Sequence, residues 1–121
     1  MKKPKGFQDY PSLVCRLNKS LYGLKQAPRA WYAEMDTFLL SIGFTRCKSD
    51  PNVYLQQHDS ILHVIVIYVD DLLITSSCTN SIGQIKSSLH SEFAMIDLGL
   101  LRHFLGLEIE QNERGIKLSQ Q

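Results

Sequence analysis

The chain has 121 residues, 44% of them hydrophobic and 21% charged, which is material for one modest core and not for several. Its longest apolar run, from Ile61 to Tyr68, is far too short to span a bilayer, and Met1-Lys2-Lys3-Pro4-Lys5-Gly6 has no apolar stretch behind it to act as a signal peptide. Net charge is only +1, yet residues 1–50 hold nine Lys/Arg against four acids and the remainder holds four against eight. A basic front half suits phosphate contacts as well as it suits a solvated surface, so charge alone leaves both open.

Cys15, Cys47 and Cys78 are odd in number and show neither zinc nor redox-motif spacing, so reduced thiols in an intracellular protein are expected. Whether that compartment is cytoplasm or nucleus is not readable. His58, His63, His90 and His103 are scattered without metal-ligand spacing and read as ordinary surface or packed side chains.

In chain order, residues 1–12 carry Pro4, Gly6 and Pro11 with little periodicity and read as an irregular lead-in. A helix is expected from near Pro28, with Trp31, Met35, Phe38, Leu39 and Ile42 on its apolar face and Gly43 as its stop. After a turn around Ser49-Asp50-Pro51-Asn52, Val53-Tyr54-Leu55 reads as a short strand and His58-Asp59-Ser60 as its turn. Ile61 to Tyr68 and Leu72 to Thr75 then form two strands around an Asp70-Asp71 turn, dense enough in apolar residues to be buried on both sides or backed by helices.

A second helix is expected from the cap types between Ser77 and Asn80, with Ile82, Ile85, Leu89 and Phe93 on one face. Leu105, Leu107 and Ile109 alternate with Gly106, Glu108 and Glu110 as one strand; Asn112 to Gly115 is a turn, and Ile116-Lys117-Leu118 the returning strand. The pattern is α+β, an antiparallel sheet with hairpins packed against two helices.

Chemistry concentrates at the acidic turn. Adjacent residues on a regular strand point to opposite faces, but at a hairpin tip both carboxylates can be offered near one point. Two hard carboxylates suit Mg²⁺, which retains waters and takes phosphate oxygens as well. Aspartate is also a common turn residue, so the pair alone fits a plain turn better than a metal site.

The context of the turn is more specific. Tyr68-Val69-Asp70-Asp71 between apolar strands resembles the metal-holding hairpin of reverse transcriptases. The stretch from Ser20 to Tyr32, Ser-Leu-Tyr-Gly-Leu-Lys-Gln-Ala-Pro-Arg-Ala-Trp-Tyr, is similar to a block characteristic of the copia-type retrotransposon enzymes, and Phe104-Leu105-Gly106-Leu107-Glu108-Ile109 to their primer-grip hairpin. The three blocks stand in the family's order and cover nearly the whole chain, residues 1–121, which is therefore expected to be part of a polymerase palm from a Pol polyprotein.

The resemblance implies roles. Asp70 is the main metal ligand and Asp71 its support, with Mg²⁺, or Mn²⁺, as the cation. Tyr68 and Val69 border the nucleotide and template–primer, Gln26 lies near the incoming nucleotide, and Lys25 and Arg29 beside it meet phosphates. Phe104, Leu105, Gly106, Leu107 and Glu108 form the primer grip. Template–primer and deoxynucleotide are the implied partners, and no membrane partner is. Taken residue by residue, Trp31 and Tyr32 suit helix packing better than base stacking, Glu108 and Glu110 suit a solvent-facing strand, and Lys25 and Arg29 fit surface charge as well as phosphate contact.

Two departures qualify those expectations. The family's site takes a further aspartate from a strand upstream of these blocks, and Met1-x-x-Pro4-x-Gly6-Phe7 resembles a stretch just after that strand. The chain is therefore expected to be truncated at both ends, inactive alone, and left with an unpaired edge on the Ile61–Tyr68 strand through which it self-associates. In addition, Ile96 stands where the family usually has a lysine able to protonate leaving pyrophosphate. The alternatives are a non-catalytic nucleic-acid-binding or self-associating remnant, or a degenerate reading frame with no selected role.

Overall fold

The computed structural model describes residues 13–19 and 21–120, so the expected lead-in at 1–12 lies outside the described residues. The chain divides into two compact units, Met1–Thr45 and Arg46–Gln121.

The first unit is organised by α1, Ala27–Ser41. Two successive turns lead into it, closed by Leu24 N–H to Leu21 O (3.2 Å) and Ala27 N–H to Leu24 O (3.0 Å). Pro28 falls in the first helical turn, where its missing donor costs nothing. Of the expected apolar face, Met35 and Leu39 are fully buried, while Trp31, Phe38 and Ile42 are half-buried. The helix ends as its sequence requires: Gly43 is left-handed at φ 93°. Its N–H donates to Leu40 O at 3.1 Å and Phe44 N–H to Leu39 O at 3.0 Å, with the Phe44 side chain buried. This pair of bonds satisfies carbonyls the helix itself leaves open.

In the second unit, β1 (Thr45–Arg46, at the unit boundary), β2 (Val53–His58), β3 (Ile61–Tyr68) and β4 (Asp71–Ser76) form a sheet in that order. The strands β2, β3 and β4 are antiparallel neighbours joined by two-residue loops, with His58 paired to Ile61 and Tyr68 to Asp71. Burial alternates along β3: His63, Ile65 and Ile67 are buried, whereas the residues between them are half-buried or exposed. Directly opposed residues share a face, so Tyr54 on β2, fully buried, packs beside Ile65 on that inner face. His63, the buried polar residue of the strand, meets Ser76 across the ladder at 2.9 Å from Nδ1 to Oγ.

Three expectations are corrected here. β2 runs three residues further than Leu55, because Gln56 to His58 pair with Ile61 to His63 and need no apolar side chain to do so. Asp71 belongs to β4 rather than to the turn, whose two residues are Val69 and Asp70. And β3 is not the open edge: β2 and β4 flank it, so among the described residues the edge strands of this sheet are β1 and β4.

The helix α2, Thr79–Glu92, packs against β4 with Ile85 and Leu89 buried. Its N-cap is Cys78 rather than one of the hydroxyl or amide residues around it, with Ser81 N–H and Ser81 Oγ both donating to Cys78 O. Residues 93–102 cross without regular structure to a second antiparallel sheet, β5 (His103–Phe104), β6 (Leu107–Asn112) and β7 (Gly115–Ser119). The expected continuous strand through residues 105–109 is broken: Leu105 and Gly106 form a turn, at φ 53° and 78°. Positive φ at both central residues matches the right-handed twist of the strands they join. The Asn112–Gly115 turn is as expected, with Arg114 N–H donating to Asn112 Oδ1 at 2.8 Å. Among the described residues, two helices with antiparallel sheets make the chain α+β, and no helix is long and apolar enough to cross a membrane.

Candidate functional site

The acidic turn sits at the end of the β3–β4 ladder. Asp70 is at the tip, Asp71 opens β4, and both are exposed. Because Asp71 is the direct partner of Tyr68, and Val66 of Leu73, these four residues share the face of the hairpin opposite to His63, Ile65 and Ile67. The carboxylate of Asp71 and the ring of Tyr68 thus emerge together, with Asp70 just beyond them on the loop.

The loop is strained. Val69 has φ 56° and is 70% exposed. A two-residue hairpin needs positive φ at its first central position, and the equivalent loop of β2–β3 supplies Asp59 at φ 53°, a residue type that tolerates it. A β-branched valine there costs about 1–3 kcal/mol, with no buried contact to offset it. Backbone strain of this kind concentrates at functional turns.

As donors, Asp70 and Asp71 suit a hard divalent cation by chemistry and exposure, leaving its other positions to water or phosphate oxygens. Among the described residues no group of three or more His, Cys, Asp or Glu side chains is assembled for a metal.

The structure also brings the β5–β6 hairpin to this turn. The Tyr68 and Phe104 rings meet edge to face, with centroids 6.1 Å apart and planes at 73°. On the same hairpin His103 and Glu108 are direct cross-strand partners, and with Gly106 and Leu107 they line a hollow of about 190 Å³. Nothing lies within 4 Å of where a Cβ on Gly106 would stand, so the turn presents bare backbone. Leu105 is exposed, and Glu108 is half-buried, against the expectation that it faces solvent; Glu110 does, 3.7 Å from Lys117 Nζ on β7.

Lys25, Gln26 and Arg29 belong to the first unit. All three are exposed: Lys25 and Gln26 in the turn before α1, Arg29 in its first helical turn. Gln26 is the N-cap but makes no side-chain cap bond, so its amide is not spent on the helix. Trp31 and Tyr32 are half-buried on α1, as helix packing implies.

A neighbouring contact was not legible beforehand. Lys86 Nζ on α2 reaches both carboxylate oxygens of Asp97, at 3.0 and 2.9 Å, and Gly99 N–H donates to the same group at 2.9 Å. Lys86 first, and then the Gly99 amide, hold the Asp97 carboxyl below its ordinary pKa, so that it gives up its proton more readily. The pair ties the segment after α2 back to the helix while Ile96 beside it stands 86% exposed. Only the reversal of the chain after Glu92 makes residues eleven apart adjacent. None of the three cysteines is in a disulfide. Cys78 is acidified chiefly by the Ser81 hydroxyl and Cys47 chiefly by the Ser49 backbone N–H.

A family model described as reverse transcriptase (RNA-dependent DNA polymerase) matches residues 1–121. The chain is 41% identical over 122 residues to the retrovirus-related Pol polyprotein from transposon RE2 of Arabidopsis thaliana, a match covering 99% of the chain and 8% of that protein. It is 40% identical over 126 residues to the Pol polyprotein from transposon TNT 1-94 of Nicotiana tabacum, covering 100% of the chain and 10% of that protein. Against the putative transposon Ty5-1 protein YCL074W of Saccharomyces cerevisiae identity is 36%, over 95% of the chain and 38% of that protein. The chain thus spans a tenth or less of the plant Pol polyproteins it matches. No solved structure matches it.

Proposed function

The chain belongs to the reverse transcriptase family, as a segment of the copia-type Pol polyproteins, and from that premise we propose that it is the part of the palm that presents a divalent metal to a template–primer end. The observation that carries this reading is the strained β3–β4 turn, which sets Asp70 and Asp71 in solvent beside the Tyr68 ring. Asp70 and Asp71 hold Mg²⁺, or Mn²⁺ in its place; when bound, the cation neutralises charge on the phosphates of an incoming nucleotide. Tyr68 and Val69 border that nucleotide and the primer end, and the bare Gly106 turn with Phe104, Leu105, Leu107 and Glu108 lies along the primer backbone; on the first unit, taken by itself, the exposed Lys25, Gln26 and Arg29 offer donors to nucleic-acid phosphate. Three cysteines outside any disulfide fit a reducing interior.

Two carboxylates are fewer than the family's site uses, and Ile96 cannot donate a proton. The 121-residue polypeptide on its own is therefore expected to bind template–primer without extending it. Affinity for an RNA–DNA template–primer should fall steeply with salt, and primer extension should equal that of an Asp70→Asn control. Absence of binding at low salt would remove the nucleic-acid reading; extension above the control would remove the inactivity.

A second reading rests on the open edge of β4, whose Leu72, Leu73 and Ile74 are half-buried. A second copy can pair along that edge. Sedimentation is expected to show concentration-dependent association that Thr75→Lys, a charge on the exposed strand, shifts toward monomer. A wild-type chain that stays monomeric removes this reading.

A further inference from the structure

The acidic turn is poorly restrained by its own residues: it is two residues long, strained at Val69, and exposed on both carboxylates. Tyr68 anchors its first side, and since Tyr68 is 48% exposed, burial in the sheet does not fix the ring. What meets that ring is Phe104, edge to face at 6.1 Å.

Phe104, in contrast, stands on a braced support. It pairs with Leu107 across a closed two-residue turn. The segment before β5 is tied to β6 by Ile109 N–H to Arg102 O at 2.7 Å and by Gln111 Nε2 to Leu101 O at 3.1 Å. A strained loop is thus held against a stiff hairpin through one ring pair, and the two hairpins belong to different sheets of the same unit.

We propose that Phe104 is a positioning residue for the acidic turn, holding Tyr68, and through its pairing Asp71 and the adjacent Asp70, in register with the β5–β6 hairpin. Its consequence for nucleic acid rests on the reading of the turn as a metal site and of the hairpin as a primer contact. Metal and primer terminus then have to be met at one place, so a recessed 3′ end is preferred to uninterrupted duplex, by roughly three- to tenfold if the ring pair contributes its ordinary share.

Amide NMR of the 121-residue chain tests the coupling without nucleic acid or catalysis. Phe104→Ala should shift and broaden the Val69, Asp70 and Asp71 signals while Asp59, in the equivalent turn of β2–β3, stays in place, and Phe104→Tyr should restore them. Unmoved Asp70 and Asp71 signals overturn the proposal, as does an equal disturbance at Asp59 or a failure of Phe104→Tyr to rescue. Fluorescence anisotropy in Mg²⁺, with a recessed-end template–primer and a blunt duplex of equal length, supplies the second arm. Phe104→Ala should lose the end preference, its affinity for the recessed end falling to that for the blunt duplex. A turn that responds to Phe104 in a chain that shows no end preference upholds the coupling and overturns the functional reading instead.

Discussion

Replacing Asp70 with asparagine is expected to weaken Mn²⁺ binding by roughly ten- to a hundredfold, measured by loss of the free-ion EPR signal on titration. The site offers two carboxylates, so the change removes half of its formal charge. A hard cation holds a neutral amide oxygen far less well than a carboxylate. Asparagine suits a hairpin loop as well as aspartate does, so the fold should survive the exchange. The matching control is Asp59→Asn: that aspartate is also exposed on a two-residue hairpin loop but has no carboxylate beside it, and its loss should leave affinity unchanged. Equal affinities in the wild type and Asp70→Asn would remove the metal from this turn.

Ile65→Ala should cost about 2–5 kcal/mol of stability, read by urea denaturation. Ile65 is fully buried at the middle of β3, with β2 and β4 on either side and fully buried Tyr54 as its direct cross-strand partner. Truncation there leaves a void that paired strands cannot collapse to fill. Against an ordinary total of about 5–15 kcal/mol, the loss is large enough to abolish a cooperative transition in so small a chain. Ile65→Val should cost only about 0.5–1.5 kcal/mol. Ile116→Ala, on a strand residue 70% exposed, should stay within about 0.5 kcal/mol. Similar losses at Ile65 and Ile116 would contradict the placement of the core.

Much of the fold was legible because its signals are local. Pro28 and Gly43 bracket α1 through their own backbone chemistry, and the β-branched run of Ile61 to Tyr68 coincides with β3 residue for residue. The boundaries that shifted are those where propensity and pairing disagree. Asp71 is a turn residue by type and expected in the turn, yet the ladder pairs it with Tyr68 as the first residue of β4. Leu105 misled in the opposite direction: leucine alternates convincingly with its neighbours, yet the loop closing β5 on β6 requires it at positive φ. Cys78 caps α2 although Ser77, Thr79 and Asn80 around it are the usual capping types, because the register of β4 decides where the helix begins.

By itself, then, the sequence determined the ancestry of the chain, its helices, and the identity of the acidic turn, since each is carried by contiguous residues and short-range stereochemistry. Tertiary structure alone decided the rest. Strand order, which long-range pairing sets, put β3 between β2 and β4 and left β4 at an edge of the described sheet. The Lys86–Asp97 clamp and the Tyr68–Phe104 contact join residues eleven and thirty-six positions apart, which only a folded backbone brings within reach. The division of labour at Tyr68-Val69-Asp70-Asp71 follows from the same cause. Its composition was visible at once, but ladder register placed Asp71 on the strand beside Tyr68 and left Asp70 at the tip.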